Sequence, residues 1–347
     1  MKTILRTFVG CTAILFGTAC MGAVKYVPEN MKVELSLKVP GNNAVNYKLH
    51  PDKLENSYFD YEWRSDNKLP ITVFHKVEER DSCMRLTVQL TAAQDVYFNY
   101  RQLLSTGYRH DNCQFYMPGF WYRRNLRSPK KAPSFHTSDS WLVREDRLSA
   151  PLTGIFSEKE KRFMTVNRLD DFSMDALATH KEGEIILSGK TSLGFTGFEN
   201  QQGIAMLSFG FPYREAPKSY IRKLTLAPEV EAFQLMKKGE SVLLTWEIME
   251  SGADDFSDFI QHTWEHCYDT YAPKPVENSY SIADMKQVLS CFFVNSLVDN
   301  QPLVYNSGIH LKVSDCERNG QAEVGFIGRV PVSYTHLRAH ETDQYLV

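Results

Sequence analysis

From about Lys25 to Met249 apolar and polar residues alternate with a period of two, and this pattern limits the fold more than any other feature of the chain. A pleated strand turns successive side chains to opposite faces, so the alternation predicts half-buried β-strands. Met31-Lys-Val-Glu-Leu-Ser-Leu-Lys-Val39 and Met84-Arg-Leu-Thr-Val-Gln-Leu90 are the clearest runs. Ile71–Val77, Val96–Tyr100, Phe163–Leu169, Glu184–Leu187, Ile204–Phe211, Ile221–Leu226 and Ser241–Ile248 are predicted strands on the same ground. Turn residues separate them, as at Pro40-Gly41-Asn42-Asn43, Gly203 and Lys238-Gly239. Strands follow strands with little helix between them. The expectation is a mainly β protein, built on a large antiparallel two-sheet β-sandwich over residues 25–250.

The period changes near residue 253. Phe256, Phe259, Ile260, Trp264, Cys267, Tyr268 and Tyr271 fall on one helical stripe, which Pro273 and Pro275 end. This predicts a linker helix over 254–275. Ser281-Ile-Ala-Asp284 has the form of a capping box at the start of a second helix. Ile282, Met285, Leu289, Phe292, Phe293 and Leu297 supply its apolar face.

Composition narrows the function classes. The chain has 347 residues, with 39 Lys and Arg against 42 Asp and Glu, a net charge of −3. Such a balance removes the electrostatic case for a nucleic-acid partner or a polybasic membrane contact. Residues 1–23 form a secretory signal: Lys2 and Arg6, a short apolar core from Phe8 to Phe16, then small residues. The predicted localisation is therefore exported, periplasmic or associated with the outer membrane. Gly17-Thr18-Ala19 before Cys20 loosely matches a lipoprotein signal, which makes Cys20 a candidate lipid anchor; ordinary cleavage near Ala19 or Ala23 needs no lipid. No later apolar run is long enough for a transmembrane segment. Of the seven cysteines, Cys83, Cys113, Cys267, Cys291 and Cys316 lie beyond the signal at wide spacings. These spacings do not support a structural zinc site, and buried free thiols are expected rather than a Cys83–Cys113 disulfide.

The C-terminus breaks the pattern. Gln321 to Arg329 reads as the start of a helix, and Pro331 interrupts it. Residues 331–347 contain Ser333-Tyr-Thr-His-Leu-Arg-Ala-His-Glu-Thr-Asp-Gln-Tyr-Leu-Val347, which resembles translated sequencing-adapter read-through. The expectation is that the native sequence ends near Val330.

A sandwich, a linker helix and then helices joined by long loops is similar to the six-hairpin glycosidase superfamily. Tyr116-Met-Pro-Gly-Phe-Trp-Tyr-Arg-Arg-Asn125 and Ser138-Asp-Ser-Trp-Leu-Val-Arg-Glu-Asp146 resemble exported Bacteroidota proteins of that architecture. The resemblance covers residues 25–330. It implies that residues 276–330 begin an (α/α)6 toroid that is truncated here. It also implies a glycoside hydrolase acting on a polysaccharide or complex glycan through two carboxylates, with this chain inactive by itself. A polysaccharide lyase acting on uronates, and a non-catalytic carbohydrate-binding or scaffold protein, are the alternatives.

The richest stretch for such chemistry is 115–147, where aromatic and charged residues alternate without a clean period. Sugar rings pack their C–H faces on aromatic rings, and hydroxyls or uronates need planar hydrogen-bonding groups. Trp121, Arg123, Arg124, His136, Asp139 and Trp141 are therefore the candidate substrate-binding residues, against a reading in which the aromatics are core. Glu323, in the first turn of the expected toroid helix, is the candidate catalytic carboxylate, with Asp315 and Glu317 behind it. The alternative for Glu323 is a first-turn acid on the helix dipole. Asp170-Asp171 reads as a solvated turn. In His262-Thr-Trp-Glu-His266 the order departs from the zincin spacing, so no metal is expected there. Phosphate loops, nucleophile elbows and dinucleotide fingerprints are absent from the sequence, and no cofactor is expected.

Overall fold

The run at Met31–Lys38 forms strand β1, and among the described residues eighteen more strands follow before the first α-helix. In the computed structural model residues 28–55, 60–80, 83–125, 133–170, 182–222, 225–274 and 280–295 are described. The strands are β1 (Met31–Lys38), β2 (Val45–Lys53), β3 (Tyr61–Arg64), β4 (Ile71–Glu79), β5 (Cys83–Ala92), β6 (Val96–Arg109), β7 (Cys113–Met117), β8 (Trp121–Arg123), β9 (Ser140–Arg144) and β10 (Leu152–Ser157). After them come β11 (Arg162–Arg168), β12 (Gly183–Ile186), β13 (Phe195–Gln201), β14 (Ile204–Phe211), β15 (Arg214–Glu215), β16 (Ser219–Arg222), β17 (Thr225–Ala227), β18 (Val230–Met236) and β19 (Ser241–Gly252). The helices are α1 (Phe256–Tyr271) and α2 (Ile282–Asn295). The chain divides into two units after Tyr271, and α1 belongs with the strands.

Apart from the separate β16–β17 pair, the strands make two layers, antiparallel except for the parallel pair β12–β18. One layer runs β2–β1–β6–β14–β13–β9, with β18 joining the start of β6. The other runs β3–β4–β5–β19–β11–β10–β7–β8. Strand β2 belongs to both: Val45–Leu49 pairs with β1, and His50–Lys53 pairs with β3. That shared strand turns the corner and leaves no open edge there.

The layers meet on one apolar core. Val33, Leu35, Phe98, Tyr100 and Phe209 from the first layer face Val73, Leu86, Val88, Trp246 and Ile248 from the second. Tyr100 stacks on Trp246 with ring centroids 6.2 Å apart. A polar chain crosses the same core. The Tyr100 hydroxyl donates to Gln102 Oε1 at 2.7 Å, so His75 Nε2, 3.0 Å away, is the donor to the Tyr100 oxygen. Burial holds the His75 imidazole far down, at about 3.

Helix α1 is capped by Asp255, whose Oδ1 accepts from the amides of Ser257 and Asp258. Its buried residues are Phe256, Phe259, Thr263 and Cys267, which lie on the outer face of the second layer with Phe156, Phe163 and Met249. Trp264 and Tyr268, expected on the buried stripe, are exposed. Gly154 of β10 makes the seat: a Cβ there would stand 2.6 Å from Phe259 Cζ and 3.0 Å from Thr165 Cγ2. Helix α2 starts on the expected capping box, with the Asp284 amide donating to Ser281 Oγ and the Ser281 amide to Asp284 Oδ2. Ile282, Met285, Val288 and Leu289 of α2 are exposed.

Most expected strands are present; β2, β3, β10, β13 and β18 stand where no strand is predicted, and three further regions differ. The expected strand Ile221–Leu226 is a hairpin of β16 and β17. Strand β6 continues nine residues past Tyr100, because its polar residues Arg101 and Gln102 are satisfied rather than exposed. The stretch 115–147, which has no clean period in the sequence, holds strands β7, β8 and β9 among its described residues.

Two outcomes follow from this packing. Unfolded His75 titrates near 6.5 while folded His75 stays neutral to about 3. Between those values the unfolded chain binds the extra proton, so stability falls as pH drops, by at most about 1.4 kcal/mol per pH unit for one group. Urea unfolding from pH 7 to pH 5 should show this loss, and His75→Gln should reduce its slope. Gly154→Ala should cost about 1–3 kcal/mol by overpacking, and Phe259→Leu in the same chain should recover part of that loss in thermal melts.

Candidate functional site

Strand β6 sends Phe98, Tyr100 and Leu104 into the core, so Asn99, Arg101 and Leu103 point to the outer face of the first layer. Asn99 Nδ2 donates to the carbonyls of Pro212 at 3.0 Å and Ala232 at 2.9 Å, which fixes the end of β14 against β18. Arg101 Nη1 lies 3.2 Å from Glu34 Oε2 on β1, its Nε donates to Ser208 Oγ on β14 at 3.2 Å, and its Nη2 pairs with Glu199 on β13.

To reach Glu199, the guanidinium lies across β14. It can do so because β14 presents the small Ser208 and Gly210 where the guanidinium crosses, with Gly210 directly opposite Arg101. A Cβ on Gly210 would stand 2.1 Å from the Tyr100 carbonyl oxygen. Burial lowers the Arg101 pKa to about 10, against the pull of Glu34, so the cation persists at neutral pH.

Above this floor is a cleft of about 470 Å³, lined by Arg101, Leu142, Glu184, Arg214, Glu215 and Glu231 among others. Arg214 Nη2 sits 2.5 Å from Glu231 Oε1, and Lys38 Nζ sits 2.5 Å from Glu184 Oε2. Burial raises the Glu215 carboxyl above its ordinary range, with Arg147 and then Arg144 opposing. The cleft thus offers fixed guanidiniums and carboxylates beside the apolar Leu142 and Val230. Its volume falls within the ordinary range for small-molecule sites, about 300–1,000 Å³. No lining residue is a histidine or cysteine. The acid–base groups it holds are carboxylates.

The structure separates the residues singled out in the sequence. Trp121 and Trp141 are core: their rings lie 5.6 Å apart with Phe135 and Phe198 around Trp121. Trp121 Nε1 donates to the Arg123 carbonyl, and Trp141 Nε1 to the carbonyls of Ser134 and Ser138. Neither ring has a face open to a sugar, because the two edge strands that carry them need apolar filling between the layers. Arg123 turns to the α1 side, with its guanidinium 5.4 Å from the centre of the Phe256 ring. Arg124 donates to the Asp111 carbonyl. Asp139 is exposed and accepts from Asn200 Nδ2 at 3.1 Å; His136 is exposed.

Arg124 and Asp139 do share one neighbour, His110, which the sequence reading passed over. Burial against Phe115 and Phe135 lowers the His110 pKa, with Asp111 and Asp139 opposing and Arg124 assisting. Of Asp170-Asp171, Asp171 lies outside the described residues, and Asp170 is tied rather than solvated: its Oδ2 accepts from Arg168 Nε at 3.0 Å and from the Thr245 amide at 2.9 Å. Cys83, Cys113 and Cys267 are buried free thiols, and Cys83 and Cys113 are not bridged. Glu323, Asp315, Glu317, Cys20 and Cys316 lie outside the described residues. Among the described residues no helix is long and apolar enough to cross a membrane.

No family model matches the chain, and no curated protein matches it in sequence. Among solved structures it is similar to a polysaccharide lyase, BACCELL_00875, at 13% identity and TM-score 0.31, covering 67% of this chain and 27% of that one. It is similar to a galactose mutarotase related enzyme from Lactobacillus acidophilus at 9% identity and TM-score 0.35, covering 63% of this chain and 79% of that one. It is also similar to a putative kojibiose phosphorylase from the human microbiome at 5% identity and TM-score 0.27, covering 78% and 28%. The chain therefore spans about a quarter of the lyase's length.

The cleft floor depends on a balanced network. Arg101→Met should leave Glu199 buried without its cation and cost about 3–5 kcal/mol in denaturant unfolding. The double variant Arg101→Met with Glu199→Met should cost clearly less, because no uncompensated carboxylate remains.

Proposed function

We propose that this chain is the sandwich part of an exported glycan-degrading enzyme, a glycoside hydrolase, and that the cleft over Arg101 takes a sugar residue of its substrate. The cleft itself carries this reading. It holds planar donors and acceptors against Leu142 and Val230 in a space of about 470 Å³. Sugars need that mixture, because their ring faces are apolar and their hydroxyls and carboxylates require directed hydrogen bonds. In this reading the bond-cleaving carboxylates belong to a helical toroid that follows α1, and the cleft holds and orients the glycan.

Glu182, Glu184, Glu215, Glu229 and Glu231 outnumber Arg101 and Arg214 in the lining and favour a neutral glycan; a uronate would have to displace Glu231 from Arg214, whose guanidinium matches a carboxylate with two parallel hydrogen bonds. That keeps a polysaccharide lyase as the second reading. The two differ in product: a lyase leaves an unsaturated uronate that absorbs in the ultraviolet, and a hydrolase does not.

The test is calorimetric titration of this chain with neutral and uronate-bearing oligosaccharides. Binding of at least one is expected. Arg214→Ala should weaken it about 10- to 100-fold, the worth of one charged hydrogen bond. A panel that does not bind, or affinities untouched by Arg214→Ala, would remove the cleft as the sugar site.

A further inference from the structure

On the opposite layer, beneath α1, three side chains of a different chemistry converge. Cys83 opens β5, Glu247 lies on β19, and His266 lies on α1. Their ligand atoms, one sulfur, one carboxylate oxygen and one imidazole nitrogen, all lie within 4.8 Å of one another. Cys83 and Glu247 are buried, and His266 is partly exposed. We propose that Cys83, Glu247 and His266 form a zinc site that fastens α1 to the second layer.

The donor set selects the metal. Thiolate, imidazole and carboxylate together suit Zn²⁺, whereas Mg²⁺ and Ca²⁺ take oxygen ligands. The groups are also held in place before any ion arrives. His266 Nε2 is 2.7 Å from Glu247 Oε1, which also accepts from Thr270 Oγ1 at 3.1 Å. Arg85 Nη2 stands 3.5 Å from the other oxygen, Oε2. Zinc bonds of about 2.0–2.3 Å at tetrahedral angles set donor atoms roughly 3.3–3.7 Å apart, so the sulfur has to close in while the imidazole and carboxylate, 2.7 Å apart, open slightly.

The charges balance. Cys83 releases its thiol proton to solvent, Glu247 is already ionised, and His266 ligates through Nε2 as the Nδ1–H tautomer. Two anionic ligands and one neutral ligand cancel Zn²⁺, and Arg85 remains on the outer carboxylate oxygen. The partly exposed side of His266 gives the ion its entry path and leaves water as the fourth ligand. Sequence spacing could not show this site, because residues 83, 247 and 266 meet only when β5, β19 and α1 pack together.

Cobalt(II) titration of the full chain, with thiols kept reduced, tests the site. One ion per chain is expected, with a near-ultraviolet thiolate-to-cobalt band that zinc displaces and Mg²⁺ or Ca²⁺ does not. The melting temperature should rise with zinc. Cys83→Ser and His266→Gln should each abolish the band; Cys267→Ser and His262→Gln should keep it. His266 is partly exposed, so His266→Gln decides the matter even if Cys83→Ser fails to fold. Absence of the band from the native chain, or its survival in His266→Gln, would overturn the proposal.

Discussion

Strand β6 is the element on which the rest of the molecule depends. It pairs with β1 along one side and with β18 and then β14 along the other. Its fourteen residues must fill a core on one face and neutralise charge on the other. Inward, Tyr100 stacks on Trp246 and links His75 to Gln102. Outward, one residue further on, Arg101 ties β1, β14 and β13 together through Glu34, Ser208 and Glu199. A slip of one residue in this strand would exchange the two faces and bury the guanidinium among aromatic rings.

The two outer faces of the sandwich solve different problems. The second layer is capped by α1, which buries Phe256, Phe259 and Cys267 on Phe156 and Phe163. The outer face of the first layer carries ion pairs around the cleft instead. A sheet face with a partly buried arginine laid over Ser208 and Gly210 forms an open trough, and an open trough is what a polar ligand can enter.

The fold was largely legible because periodicity is a local property. Met31–Lys38 and Ile204–Phe211 stand where the alternation put them. The Ser281–Asp284 capping box begins α2 because its two hydrogen bonds span only three residues. Site residues were less legible. Trp121 and Trp141 drew notice for their chemistry, yet the gap between two sheet edges consumed them as packing. Glu34 sits at a polar position of an ideal alternating run, and alternation cannot distinguish a solvent face from the floor of a cleft. Arg101 ended the expected strand, although its charge is satisfied by two carboxylates far away in sequence.

By itself the sequence determined the alternation that makes pleated strands, the change to a helical period near residue 253, and the near-balance of charge. These follow from neighbours along the chain, where side-chain direction repeats every two residues or every 3.6. Tertiary structure alone decided which aromatic residues became core, which arginine crossed β14, and which cysteine met a histidine and a carboxylate. Those outcomes depend on distances between residues such as 101 and 199, or 83 and 266, which only the pairing of strands and the docking of α1 make short.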